Sequence, residues 1–80
     1  MDICQEIQDY VITQLFQGAP PEGYDEDYNL IDDGAMDSLA IMTLVTHIDT
    51  TYQVVFGDGD IVPENFSSAA AITDFIDSKL

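Results

Sequence analysis

Sixteen Asp and Glu residues stand against one basic residue, Lys79, in a chain of 80, for a formal charge of −15. This imbalance constrains the fold more than any other feature. One cation cannot build an ion-pair network, and crowded carboxylates repel each other. Any structure must therefore be held by apolar burial and hydrogen bonds, with the acids kept outside. Apolar residues make up 46% of the chain, too large a share for an acidic disordered tail. One domain, residues 1–80, with a small core is expected at this length. The same charge repels phosphate backbones and anionic headgroups, which argues against nucleic acid and membrane surfaces as partners.

The apolar residues fall at helical spacing. Ile3, Ile7, Val11 and Leu15 recur every four residues, with Tyr10 alongside, and predict an amphipathic helix over 2–17. Gly18-Ala19-Pro20-Pro21 ends it, since glycine permits a left-handed cap and proline cannot continue a helix. A long connection from Glu22 to Asp37 follows, with seven carboxylates. Tyr24, Tyr28, Leu30 and Ile31 are its anchors, and Asp32-Asp33-Gly34 reads as a turn. A second helix is expected from Asp37-Ser38 to about Val55. It buries Ile41, Leu44, Val45, Ile48 and Tyr52 and leaves Leu39 and Met42 off the stripe. Asp37 or Ser38 caps it. Pro63 to Phe66 predicts one short helical turn presenting Phe66 inward. Ser67 or Ser68 then caps a last helix with Ala71, Ile72, Phe75, Ile76 and Leu80 on one face and Lys79 in its final turn. The expected class is all-α: a small four-helix bundle of three main helices and one short one.

Catalytic chemistry is sparse. His47 is the one histidine and borders the apolar stripe of the second helix without an evident partner to orient it as a base. Cys4 has acidic neighbours that disfavour its thiolate, has no second cysteine to pair with, and belongs to no zinc-ligand cluster. Asp25, Asp27 and Asn29 match positions one, three and five of a calcium loop. Leu30 replaces the glycine required at position six, however, and Met36 the glutamate required at position twelve, so no metal site is expected. The start Met1-Asp2-Ile3-Cys4-Gln5-Glu6 lacks a basic region and an apolar block, and no apolar run reaches the roughly 20 residues that span a bilayer. These features predict a cytoplasmic chain.

One segment stands out. Gly34-Ala35-Met36-Asp37-Ser38-Leu39 places a serine hydroxyl where a helix begins, directly after a long loop. Free amides and the positive dipole end there favour a phosphate attached to the serine oxygen. Taken alone, the serine reads as an ordinary cap. Its surroundings decide the reading: Leu30-Ile31-Asp32-Asp33-Gly34-Ala35-Met36-Asp37-Ser38-Leu39 resembles the modification motif of acyl and peptidyl carrier proteins. The flanking pattern, through Pro63-Glu64-Asn65-Phe66 to Phe75-Ile76, resembles the rest of that family over essentially the whole chain.

The resemblance implies a covalent 4′-phosphopantetheine on Ser38, attached by a phosphopantetheinyl transferase that draws on coenzyme A. Its thiol holds an acyl or aminoacyl group as a thioester. The protein is then a shuttle, performs no catalysis itself, and meets a loading enzyme and a downstream synthase or transferase. The resemblance also places Asp37 beside the transferase and Leu39 and Met42 on the partner-facing side of the second helix. Carriers of primary fatty-acid synthesis have several glutamates along that helix. Here Asp49 is the one acid between Leu39 and Phe56, which favours a specialised stand-alone carrier of polyketide or nonribosomal-peptide type. Within the family, the alternative is an aminoacyl or peptidyl carrier loaded by an adenylating ligase. Outside it, the rival is a non-covalent acidic helical adaptor, and a small hydrolase using His47 is a third reading. A monomer is expected, and Phe56, Phe66, Phe75 and Tyr52 leave little internal room for cargo.

Overall fold

The computed structural model describes residues 2–80, and within them every regular element is helical. Helix α1 spans Ile3–Tyr10 and runs directly into a π-helical turn, Val11–Leu15. After the acidic connection come a one-turn helix α2 (Leu30–Asp33), the long helix α3 (Ser38–Tyr52), a 3₁₀ turn (Pro63–Phe66) and α4 (Ala69–Lys79). No helix among the described residues is long and apolar enough to cross a membrane.

Short polar side chains start the four α-helices, each accepting from the otherwise unpaired amides of the first turn. Asp2 caps α1, Asn29 caps α2 through Ile31 and Asp32, Asp37 caps α3, and Ser68 caps α4. Of the two pairs of candidate caps in the sequence, Asp37 and Ser68 take the role.

Ile7, Val11, Leu30, Leu44, Ile48, Phe66, Ile72 and Ile76 form a fully buried core, with Met36, Val54, Ala69 and Phe75 at its margin. Phe56, Phe66 and Phe75 pack together, with ring centroids 5.1–6.4 Å apart. Asp60 accepts from Lys79 at 2.9 Å and from the Gly57 amide at 2.7 Å, tying the 57–60 turn to the end of α4. These contacts hold the Asp60 carboxyl below its ordinary value, the Gly57 amide being the larger influence. Lys79 also lies 5.6 Å from the centre of the Phe75 ring.

Four expectations need correction. The first helix is not α-helical to Gln17: its second half widens into the π turn and ends as Gln17 and Gly18 take positive φ. Asp32 and Asp33 are not a bare turn but the end of α2, closed by Gly34 at φ +89°. The fold therefore has two short helical pieces instead of one. Helix α3 stops at Tyr52, before Val55, because Gln53 adopts a left-handed cap. Val54 then tucks into the core while Val55 is exposed. Leu80, expected on the buried face, is 70% exposed because it lies past the end of α4.

The packing makes two outcomes testable. Stabilities near 0.05–0.15 kcal/mol per residue leave a domain this size roughly 4–12 kcal/mol. Leu44→Ala, which opens a cavity in the core, should remove about 2–5 kcal/mol of that. Leu39→Ala, on the surface, should change it by less than about 0.5 kcal/mol. Urea titration followed by circular dichroism checks both.

The second concerns Tyr52, which donates to Glu6 at 2.7 Å and so ties α3 to α1. Burial first, and then this bond to a carboxylate, raise its phenol far above the usual value near 10. A raised folded pKa stabilises the fold fully below the unfolded value and is lost as pH climbs through the folded one. Stability should therefore fall above about pH 10, and Tyr52→Phe should make that fall shallower in urea titrations repeated across alkaline pH.

Candidate functional site

The site is built by a loop that folds back on itself. Leu30 is fully buried at the start of α2; its amide donates to the Ser67 carbonyl at 2.7 Å, and its carbonyl accepts from Met36 at 3.0 Å. Met36 is itself buried at 3% exposure. The Ala70 amide donates to the Glu26 carbonyl at 2.9 Å, fastening the preceding acidic stretch to the start of α4. Tyr24 and Tyr28 pack on Phe16, and the Tyr28 hydroxyl donates to Asp33. Gly34 supplies the left-handed residue that turns the chain from α2 towards Met36. The connection is thus pinned at several points along its length.

Asp37 emerges from this clamp with extended backbone, its side chain accepting from the Ala40 amide at 2.8 Å. Ser38 is the first residue of α3 and is exposed. Its amide and that of Leu39 precede the first intrahelical bond, which Ile41 donates to the Asp37 carbonyl at 2.9 Å. They stand at the positive end of a helix of 15 residues. Leu39 is 77% exposed and Met42 is 52% exposed. At i and i+3 they share one side of α3. The structure therefore gathers Asp37, Ser38, Leu39 and Met42 at one end of one helix.

The other reactive side chains are elsewhere employed. The half-buried His47 ring stacks on Tyr10, with centroids 4.5 Å apart. The Cys4 thiol donates to Glu26 at 3.0 Å, and that bond, with burial behind it, raises the thiol above its ordinary value. Asp25 accepts from the Asp27 amide at 2.9 Å, and Asn29 caps α2. The residues that match a calcium loop are thus spent on local backbone, and no group of three or more ligating side chains among the described residues could hold a metal.

Sequence periodicity did not reveal an open groove beside Ser38, between the π turn and the first turns of α3, to which Tyr10, Gln14, Leu15 and Thr43 contribute. A strict four-residue stripe treats Leu15 as core, whereas the π turn shifts the register and leaves it half-buried in the groove wall.

No family model and no curated protein matches this chain. A solved structure does, described as "Crystal structure of FAD-dependent dehydrogenase", at 30% identity and a TM-score of 0.75. The match covers 88% of this chain and 97% of that one. The two chains belong to one family. Since about 70 residues here account for nearly all of that chain, it too is a small domain.

Because Asp37 caps α3, Asp37→Ala should cost about 1 kcal/mol, within a range of roughly 0.5–2 kcal/mol. Asp37→Asn or Asp37→Ser should restore most of it. Urea titration of the three variants checks this, and identical losses in all three would rule the cap out.

Proposed function

We propose that this chain is a carrier protein, bearing 4′-phosphopantetheine on Ser38 and passing a bound acyl group between biosynthetic enzymes. The observation that carries the reading is an exposed serine at the first position of α3, held there by a buried clamp within a motif that resembles the carrier family's. When attached, the group supplies a thiol that holds its cargo as a thioester. The chain's own part is presentation. In the transferase's active site the Ser38 oxygen would attack the pantetheine-bearing phosphorus of coenzyme A, its new P–O bond replacing the bridging P–O bond to a departing adenosine 3′,5′-bisphosphate, and the hydroxyl proton would pass to a base of the transferase.

The local residues suit a phosphodiester at that oxygen. The amides of Ser38 and Leu39 and the helix dipole favour negative charge there. Asp37 satisfies Ala40 and leaves those two amides free. Cations must come from the partner, since Lys79 is paired with Asp60 and is the sole basic residue. Leu39 and Met42 offer that partner an exposed apolar footing. We assign Asp37, Leu39 and Met42 to partner contact on this basis.

The related solved chain is described as an FAD-dependent dehydrogenase. The dehydrogenase activity belongs to that description and is not carried over to this protein. A flavin-dependent dehydrogenase acting on a thioester-bound group is instead a downstream enzyme this reading accommodates, with the flavin belonging to the enzyme.

The test is intact mass after incubation with coenzyme A and a promiscuous phosphopantetheinyl transferase. The wild-type chain should gain one phosphopantetheine, and Ser38→Ala, folded by circular dichroism, should gain none. A folded wild-type chain that stays unmodified would favour a non-covalent acidic adaptor.

A further inference from the structure

We infer that the groove between the π turn and the start of α3 seats part of the arm carried on Ser38, an inference that rests on the carrier function proposed for Ser38. Asp37 and Leu39 both line this groove, and Ser38 lies between them in sequence. Ser38 is exposed and does not itself line the groove, so a long substituent on its oxygen enters from outside, past its two neighbours. The phosphodiester stays outside, over the exposed first turn of α3, and the chain beyond it turns inward.

The walls match the part of the arm beyond the phosphate. Leu15, Ala40 and the Tyr10 ring supply apolar surface, while Gln14 and Thr43 supply polar groups. Gln14 is exposed, and its carboxamide both donates and accepts. The Thr43 hydroxyl already donates to the Leu39 carbonyl at 2.9 Å, which turns its oxygen into an acceptor. A pantetheine arm has two secondary amides and a branched apolar segment, the combination these walls can satisfy. Tyr10 is a fixed wall because its ring is stacked on His47.

The π turn is a second, independent observation. Such turns are rare and concentrate at functional sites. This one interrupts α1 where Gln14 and Leu15 face the groove. Volume limits the occupant: about 280 Å³ lies below the roughly 300–1,000 Å³ of small-molecule pockets, room for part of the arm, with the cargo left outside. Phe56 stacks on both Phe66 and Phe75 and fills the space beside α4.

A nitroxide-bearing pantetheine, loaded from the corresponding coenzyme A analogue and confirmed by intact mass, tests this by NMR. The expected result is paramagnetic broadening concentrated on Gln14, Leu15, Ala40 and Thr43. Gln14→Trp, an exposed substitution that fills the groove, should still load and should lose that pattern. Loading with broadening spread evenly over the surface, or concentrated on α4, overturns the groove while leaving the carrier reading intact. Failure to load overturns both.

Discussion

The structure depends on the double engagement of Leu30. Its side chain is fully buried, its amide is bonded to Ser67, and its carbonyl is bonded to Met36. One residue thereby joins the acidic connection to the start of α4 and folds the chain back so that Met36 enters the core. Asp37 and Ser38 come immediately after, so the position of the serine is inherited from that burial. In a chain with one cation, such a clamp cannot be made from ion pairs. It is made from apolar area and backbone hydrogen bonds, which net charge leaves intact.

The same constraint shapes the rest of the molecule. Carboxylates are placed where backbone or hydroxyl donors meet them: Asp2 and Asp37 as caps, Glu6 with Tyr52, Asp33 with Tyr28, Asp60 with Gly57 and Lys79. Each carboxylate so bonded gains a local partner and remains at or near the surface. The core beneath is left to aliphatic and aromatic side chains. The acidic exterior and apolar interior are thus two results of one composition.

Much of this was legible in the sequence, and the failures have physical causes. Helices α3 and α4 were readable because Leu44, Ile48 and Tyr52, and Ile72 and Ile76, sit on a 3.6-residue period that tertiary packing respects. Phe66 was readable as an inward residue because Pro63 marks a short turn before it. The π turn was not, since Val11 and Leu15 fit an ordinary α stripe and nothing in their side chains announces a wider turn. Helix α2 was masked by Asp32-Asp33-Gly34, whose composition is equally that of a turn; the cap from Asn29 and the burial of Leu30 decided for helix. The stop at Gln53 was hidden for a similar reason, because a non-glycine residue in the left-handed region gives no compositional warning. At the site, the exposed Leu39 and Met42 were visible from the stripe they fall outside, and Ser38 from its place where a helix begins after a long loop. The groove was not, because it depends on the register of α1.

The central claim is that a covalent arm stands on one particular oxygen. Fragmentation mass spectrometry of the intact chain, after exposure to coenzyme A and a transferase, addresses it directly because the chain offers four serines to distinguish: Ser38, Ser67, Ser68 and Ser78. The account predicts a single phosphopantetheine whose fragments bracket Ser38. An adduct bracketed to Ser67, Ser68 or Ser78 would contradict it.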